Sequence, residues 1–302
     1  MRASYCDGYY VPLPEGHPFP MGKFPALHAR LIEEGILRPN DVVAPRQADW
    51  SDLLHVHTSD YLNALATGTL SRREERRMGL PWSERLVYRS RVAVQGTLNA
   101  AMMALEDGLA ANLAGGTHHA MPGHGEGFCV LNDVAVAIRV LQRACWVDRV
   151  CIIDLDVHQG NGNAAFFAGS PSVYTFSMHG AKNYPFKKPA STRDVPLPDG
   201  CGDTDYMEAL TAHLPGVLNE ARPDLVFYLA GIDVMANDRY GRLSLTRSGL
   251  HQRDGYVLET LHERDLATVL LLSGGYAQTP EDTADLHAVM HREAARVYGF
   301  AA

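Results

Sequence analysis

The stretch RVCIIDLDVHQGNG occupies residues 149–162 and begins with an apolar, β-branched run. A run of this kind is typical of a buried strand in a parallel sheet, and the glycines after it turn the chain away. The sequence therefore predicts a strand whose carboxyl end carries polar residues. Asp154, Asp156 and His158 alternate there with apolar residues, so an extended chain would place all three on one face.

Two carboxylates and one imidazole at this strand end form a candidate metal site. Burying such groups without a partner is costly, and a bound cation removes that cost. Asp and His are ordinary zinc ligands when a third ligand comes from elsewhere in the chain. The alternative is that Asp154 and Asp156 only cap the following turn, so the metal interpretation requires partner residues from other segments.

Polar residues also follow three other apolar runs, which we interpret as strands. The runs and the residues after them are 109–114 with His118 and His119, 225–231 with Asp233, and 268–272 with Tyr276. In an open parallel α/β sheet, the carboxyl ends of the strands form the edge where ligands bind. Four groups of polar residues at one edge are hard to explain by turn capping alone, so we expect a single site.

The remaining pattern predicts a single α/β domain over residues 1–302, with a central, mostly parallel β-sheet flanked by helices and the active site at the carboxyl ends of the strands. Helical periodicity and a further apolar run predict helices at 91–107, 132–143, 203–221, 247–264 and 281–298, and a strand at 173–179. We interpret residues 52–62 as a short strand or turn that leads into a helix. The segment after residue 179 is expected to be a loop of roughly twenty residues.

Composition limits the class of protein. The 302 residues are 46% hydrophobic and 21% charged, which is enough apolar content for a large core. The five cysteines form no CxxC pair, so we expect reduced thiols and no thiolate zinc site. A net charge of −8 with scattered Lys and Arg disfavours direct nucleic-acid binding. The absence of an apolar leader or a membrane-length apolar run predicts a soluble cytoplasmic protein.

Several segments together resemble the histone deacetylase family, which has the arginase/deacetylase fold. The matching segments are GGTHHAMPGHGEGFCVLND (115–133), IIDLDVHQGNG (152–162), AGIDVMANDRYGRLSLT (230–246) and LLSGGY (271–276). The segments HPFPMGKFPALHARLIEEGIL (17–37) and LLHVHTSDYL (53–62) are most similar to the class IV branch and to bacterial histone-deacetylase-like amidohydrolases.

The resemblance implies a zinc-dependent deacylase that cleaves the amide of an N-acylated lysine or a related acylated amine. The implied zinc ligands are Asp156, His158 and Asp233, and this oxygen-rich set could also accept Fe(II). His118 and His119 would be the catalytic histidine pair, with Asp154 holding His118 and Asn161 holding His119. The hydroxyl of Tyr276 would polarise the substrate carbonyl.

The resemblance also implies a substrate channel and a structural potassium site. Channel residues would be Phe128, Tyr184, Gly127, Gly274 and Gly275. Potassium ligands would be Asp154, Asp156, His158, Ser177 and Met178, partly through backbone carbonyls. One departure from the family is that Asn161 stands where class I members have Asp, which predicts a less basic His119. The segment 180–202 aligns poorly with other branches.

Three alternative functions remain open from the residues. An acetylpolyamine amidohydrolase would use the same chemistry on a small amine. A two-manganese ureohydrolase would share the fold, but it needs extra carboxylates beside His158, and residues 159–161 supply none. A non-catalytic acyl-lysine binder is expected to have lost a ligand, a histidine or Tyr276, and all of these are present.

The glycine-rich segment 123–127 bears on the acyl group. Three glycines in five residues predict a small, flexible channel wall that could admit acyl chains longer than acetyl. The opposing interpretation is that these glycines only let the loop turn tightly near the metal, with an acetyl group as the substrate.

Overall fold

Eight parallel strands form one sheet in the structure, a computed structural model that describes residues 1–300. The strands are β1 (Arg2–Ser4), β2 (Val42–Val43), β3 (Leu109–Asn112), β4 (Val150–Asp154), β5 (Val173–Gly180), β6 (Arg193–Leu197), β7 (Leu225–Leu229) and β8 (Ala267–Leu271). Across the sheet they lie in the order β2-β1-β3-β8-β7-β4-β5-β6, and every neighbouring pair is parallel. The predicted α/β class is confirmed.

Helices cover both faces of this sheet. They are α1 (Lys23–Glu33), α2 (Trp50–Leu53), α3 (Ser59–Thr67), α4 (Arg72–Met78), α5 (Glu84–Asp107), α6 (Asp133–Arg143), α7 (Asn161–Phe166), α8 (Asp203–Ala221), α9 (Arg247–Glu263) and α10 (Pro280–Tyr298). One apolar core contains residues of α1, α8, α9 and α10, and the other contains residues of α3, α5 and α6. Among residues 1–300, no helix combines the length and the apolar character that crossing a bilayer requires.

The central strands are buried on both faces, which explains their continuous apolar sequences. In β4, Cys151 and Ile153 belong to one core, whereas Val150 and Ile152 belong to the other. All five residues of β7 are likewise buried. Strands β3, β8, β7 and β4 are consecutive across the sheet, so the loops after their carboxyl ends lie side by side.

The structure differs from the sequence prediction mainly at short elements and at the sheet edge. Strand β6 lies within the predicted loop after β5. This strand contains Pro196, which is tolerated because β6 lies at the edge of the sheet. The proline interrupts the apolar pattern of the strand, so the sequence does not indicate it. Residues 52–62 belong to α2, a turn and α3, so the short-strand alternative is wrong. Helix α5 begins at Glu84, before the predicted start at residue 91. The side chain of Ser83 caps the helix there by accepting a hydrogen bond from the Leu86 amide.

Candidate active site

Three buried side chains converge at the ends of β4 and β7. Nδ1 of His158 lies 3.1 Å from Oδ1 of Asp156 and 3.1 Å from Oδ2 of Asp233. One ligand atom from each residue lies within 4.8 Å of the others. Because β4 ends at Asp154, Asp156 and His158 lie in the turn after the strand, so the extended strand predicted for them is wrong although their convergence is observed.

The electrostatics of this triad fit a bound cation. Burial alone lowers the pKa of His158, but its hydrogen bonds to Asp156 and Asp233 outweigh that effect and raise the pKa to about 10. Burial and the neighbouring charge of Asp156 raise the pKa of Asp233 to about 7. The two carboxylates therefore repel each other at one buried position, and a positive charge between them would stabilise both. A divalent metal suits this donor set of two carboxylates and one imidazole.

A buried arginine holds the backbone that carries two of these ligands. Arg253 of α9 is fully buried, and its Nη1 donates to the carbonyl of Gly231 at 2.6 Å and to that of Leu155 at 3.4 Å. Leu155 directly precedes Asp156, so one guanidinium ties the turns after β4 and β7 together. Arg253 was not among the predicted site residues. Its spacing of three residues from Leu250 and four from Val257 places it on the apolar face of the predicted helix, and that spacing is a signal that could have revealed it.

The carboxylate of Asp156 is also held from the opposite side. The Ser273 hydroxyl donates to Oδ2 of Asp156 at 2.8 Å, and the Gly274 amide donates to the same oxygen at 2.6 Å. A Cβ on Gly274 would collide with the carboxylates of Asp233 and Asp156. Glycine is therefore required for the backbone to approach the triad this closely.

The adjacent histidines have different partners. Nδ1 of His118 lies 2.7 Å from Oδ2 of Asp154, and Nδ1 of His119 lies 2.6 Å from Oδ1 of Asn161. Their ring centroids are 4.1 Å apart. These are the pairings that the resemblance implies.

The two imidazoles have pKa values shifted in opposite directions. Burial opposes protonation of both rings. For His118 the charges of Asp154 and Asp156 outweigh burial and raise the pKa to about 9. For His119, burial and then the charge of His118 lower the pKa well below its ordinary value. These surroundings favour the imidazolium form of His118 and the neutral imidazole form of His119.

A carboxylate that the sequence analysis did not single out lies behind Asn161. Nδ2 of Asn161 donates to Oε1 of Glu126 at 2.6 Å, and the Tyr184 hydroxyl donates to the same oxygen at 2.7 Å. Nε2 of His124 lies 3.0 Å from the other oxygen. Glu126 belongs to the glycine-rich segment 123–127, for which the sequence pattern predicts only a flexible wall and no role for the carboxylate.

Aromatic side chains line a channel that leads to the triad and to His119. The cavity has a volume of about 310 Å³, and Phe128, Tyr184, Tyr240 and Tyr276 form its wall. The Tyr184 ring centroid lies 5.1 Å from that of His119, and the Tyr240 centroid lies 4.9 Å from that of Tyr276. Phe128 and Tyr184, which the resemblance assigns to a substrate channel, both line this cavity, and Tyr240 is an additional wall residue.

Asp238 fixes the backbone of two of these tyrosines. Its Oδ2 accepts a hydrogen bond from the Tyr276 amide at 2.8 Å, and its Oδ1 accepts one from the Tyr240 amide at 2.9 Å. Burial and the nearby charge of Asp233 raise the pKa of Tyr276 well above its ordinary value, so its phenol stays protonated. Asp238 lies in the quoted segment 230–246 but was not predicted to have a role.

Two glycines predicted for the channel, Gly127 and Gly275, and Gly125 of the segment 123–127 have different environments. Gly127 adopts a φ of 57°, in the left-handed region, and a Cβ there would lie 2.6 Å from Cδ2 of His119. In Gly125, a Cβ would strike the Cys129 carbonyl and the Tyr61 hydroxyl. Gly275 packs against Ile232 and His287 and lines neither cavity of the site. Gly125, Gly127 and Gly275 therefore permit close packing, whereas a Cβ on Gly123 would meet only the Thr58 hydroxyl, at 3.9 Å.

A small inner cavity lies beyond the triad. Its volume is about 40 Å³, and a single water needs roughly 10–15 Å³ by the same measure. Lys23 and Arg89 are buried in its wall. Burial lowers the pKa of Lys23 to about 8, although the charge of Asp233 opposes this shift.

The residues implied for potassium lie on β4, the turn after it, and β5. Ser177 is the strand partner of Asp154, and its hydroxyl lies 2.9 Å from Nδ1 of His179. Met178 is fully buried beside it. His57 is buried, and its Nε2 accepts a hydrogen bond from the Asn132 amide, which fits a structural role.

Comparisons with known proteins identify similar chains. A family model described as the histone deacetylase domain matches residues 17–291. An uncharacterized protein of Picosynechococcus is 46% identical over 294 residues, which cover 97% of this chain and 98% of that protein. Histone deacetylase 2 of Arabidopsis thaliana is 31% identical and aligns over 92% of this chain and 74% of its own length.

Two further matches are more distant. The acetoin utilization protein AcuC of Staphylococcus aureus is 27% identical, with coverage of 86% of this chain and 72% of that protein. The crystal structure of the HDA15 HD domain superposes with a TM-score of 0.77 at 22% identity, over 98% of this chain and 95% of that one. The structural match shows a shared fold.

Proposed function

Because the chain belongs to the histone deacetylase family, we propose that it is a zinc-dependent deacylase that hydrolyses the amide of an N-acylated lysine or a related acylated amine. Family membership supports the deacetylation reaction in general. For this chain, the observation that carries the proposal is the Asp156, His158 and Asp233 triad beside two imidazoles with opposite pKa shifts.

Asp156, His158 and Asp233 would hold the metal. Zinc fits two carboxylates and one imidazole, and Fe(II) is the other metal we propose for this oxygen-rich set. When bound, the metal would supply Lewis-acid polarisation of the substrate carbonyl and lower the pKa of a water molecule toward neutrality. A structural potassium ion held by the residues named for it remains part of the proposal, supported by the pairing of Asp154 with Ser177 in the sheet.

His119 is the proposed general base and acid. Its Nδ1 donates to Asn161, which leaves the lone pair on Nε2 free to accept a proton from the attacking water. Burial, and then the positive charge of His118 beside it, lower the pKa of His119 and keep its imidazole neutral before the reaction, so it can accept a proton. The water oxygen bonds to the carbonyl carbon, the C–N bond breaks, and His119 returns the proton to the nitrogen of the leaving amine, which gives a carboxylic acid and a free amine.

Tyr276 is the proposed oxyanion donor. Its phenol stays protonated because its pKa is raised, and Asp238 fixes the backbone from which it extends. A hydroxyl held in this way can donate to the oxygen of the scissile carbonyl as negative charge develops on it.

The channel mouth favours an acylated lysine in a polypeptide over an acylated polyamine. Arg76 and Arg77 of α4 are exposed and line the mouth. Their positive charges repel the remaining ammonium groups of a polyamine. A lysine that carries its acyl group brings no charge of its own into the channel.

The inner cavity favours a short acyl group. A volume of about 40 Å³ does not hold an octanoyl chain, and Gly125 and Gly127 pack closely against neighbouring atoms. The sequence-based expectation of broad acyl tolerance is therefore replaced by a preference for acetyl. We also propose, from the similarity of residues 17–37, that the chain is related to the class IV branch. This relationship does not change the proposed preference for acetyl.

A substrate series tests the proposed function. Acetyl-, butyryl- and octanoyl-lysine peptides and an acetylated polyamine are assayed with one preparation whose metal content is measured. We expect kcat/KM to be highest for the acetyl-lysine peptide and to fall with chain length. A real acyl pocket would instead raise kcat/KM about fourfold per methylene, from about 0.8 kcal/mol each, and that result would contradict the short-acyl proposal. Hydrolysis of none of these amides would contradict the function itself.

A further inference from the structure

The general-base role of His119 depends on which way the Asn161 side chain faces. Asn161 presents a carbonyl on one side and an NH₂ group on the other, and these groups are nearly the same shape. If the carbonyl faces His119, Nδ1 must carry the proton and Nε2 is free to accept one. If the NH₂ group faces His119, the proton moves to Nε2 and the imidazole cannot act as a base toward the channel.

The neighbourhood of Asn161 contains a group that distinguishes these two orientations. Oε1 of Glu126 lies 2.6 Å from the far end of the amide, at Nδ2 of Asn161. An ionised carboxylate accepts hydrogen bonds and cannot donate them. The amide end next to Glu126 must therefore be the NH₂ group, and the carbonyl must face His119, 2.6 Å from its Nδ1.

We propose that Glu126 is a positioning residue, which orients the Asn161 amide and thereby holds His119 in the tautomer with its proton on Nδ1. This inference rests on the proposed function and names a residue that the function does not otherwise use. A carboxylate in the place of the Asn161 amide would accept the hydrogen bond from Nδ1 of His119 through either oxygen. An amide in that place needs a second group to set its orientation, and Glu126 supplies it.

Glu126 is itself fixed from several sides. Its side chain is only 12% exposed and accepts from the Tyr184 hydroxyl at 2.7 Å. Its backbone exchanges two hydrogen bonds with Cys129, and the next amide, of Gly127, donates to the Arg77 carbonyl. A carboxylate held at both its backbone and its side chain can impose an orientation on a neighbour.

The first variant is Glu126→Gln, which keeps the shape of the side chain. Either end of its amide can face Asn161 and Tyr184, because the Tyr184 hydroxyl can accept from an NH₂ group as well as donate to a carbonyl. The variant therefore no longer specifies which end of Asn161 faces it. We expect kcat to fall by about 10- to 100-fold, the usual effect of losing an outer hydrogen-bond partner. Glu75→Gln is the matched control, because it removes one charge from α4, the helix that carries Arg76 and Arg77 at the channel mouth, and Glu75 lines a separate cavity.

The second variant exchanges the two groups. In the double variant Asn161→Asp with Glu126→Gln, the carboxylate lies next to His119 and the amide lies behind it. Either oxygen of the new Asp accepts from Nδ1, so no orienting residue is required. We expect kcat to recover to within a few-fold of the native enzyme. A merely structural role for Glu126 predicts no such rescue.

Nitrogen-15 NMR of the histidine side chains gives a readout that needs no catalysis. The His119 signals are assigned by their absence in a His119→Ala variant. We expect a protonated Nδ1 and an unprotonated Nε2 in the native protein and in the double variant, and a mixture of tautomers in Glu126→Gln. Native-like kcat or an unchanged tautomer in Glu126→Gln would overturn the inference, as would a double variant no more active than Glu126→Gln. If the native protein hydrolyses no acyl amide, the proposed function fails, and the tautomer measurement still decides the role of Glu126.

Discussion

His118 and His119 are neighbours in sequence, yet their surroundings give them opposite charge states. The carboxylate of Asp154 outweighs the burial of His118, whereas Asn161 brings no charge to His119. When the surroundings shift the pKa values of two neighbouring groups in opposite directions, one group can be charged and the other can act as a base at neutral pH. The different roles of the two histidines therefore follow from the residue that each Nδ1 contacts, which is Asp154 for His118 and Asn161 for His119.

Replacing Tyr276 with Phe tests the oxyanion role. The change removes one hydroxyl and leaves the aromatic packing against Phe128 and Tyr240 in place. We expect kcat on an acetyl-lysine peptide to fall by about 10²- to 10³-fold, because one oxyanion donor is lost. Metal content is measured on the same sample and should be unchanged. Near-native turnover would show that the Tyr276 hydroxyl does not act in the reaction. Tyr10→Phe, at an exposed position, is the control.

Sequence patterns were sufficient for some site residues and insufficient for others. His118, Asp156 and Asp233 lie within six residues of the ends of buried strands, so the apolar runs locate them. Glu126 and Asp238 act through contacts within irregular loops, where no periodicity marks one polar residue above its neighbours. Their roles depend on hydrogen bonds that only the folded loops define.

Among the elements, burial decided which strands could be predicted. β4, β7 and β8 are buried on both faces, and a continuous apolar run indicates them. The missed strands β1 and β2 have three and two residues, too few to show a pattern. They lie at or next to one edge of the sheet, and β6 lies at the other, so none of them carries the triad.

A cluster of ion pairs joins three helices on one side of the sheet. Asp285 of α10 contacts Arg30 of α1, Arg247 of α9 and Arg292 of α10. The Arg247 guanidinium, followed by Arg292, lowers the pKa of Asp285 to about 2. A carboxylate whose pKa is lowered by folding stabilises the protein above its unfolded-state pKa. That contribution is lost as the pH falls through the folded-state value.

Asp285→Asn tests this cluster. We expect the free energy of unfolding at neutral pH to decrease by roughly 1–2 kcal/mol, because the charged contacts are lost. The difference from the native protein should shrink as the pH is lowered from about 4 toward 2. Denaturant unfolding at several pH values measures both effects, with Asp265→Asn in the turn after α9 as a control. A difference that does not vary with pH would contradict the assigned linkage.

For the molecule as a whole, the parallel sheet explains why distant segments form one site. Four strands that are consecutive across the sheet deliver the histidine pair, two groups of ligands and the tyrosine to the same edge. The order of these strands cannot be deduced from the spacing of motifs along the chain, because β3 and β8 are adjacent although far apart in sequence. The convergence of the polar groups was nevertheless predictable, since parallel strands share one carboxyl edge.

Metal reconstitution tests the metal-dependent function most directly. Protein stripped by a chelator is titrated with Zn²⁺, and in parallel with Fe²⁺, while acetyl-lysine hydrolysis and bound metal are measured together. We expect activity to return linearly and to reach its plateau at one bound metal per chain. Asp233→Ala should keep its fold by circular dichroism but recover neither metal nor activity. Activity that persists without metal, or a plateau at two bound metals per chain, would contradict the single-metal deacylase.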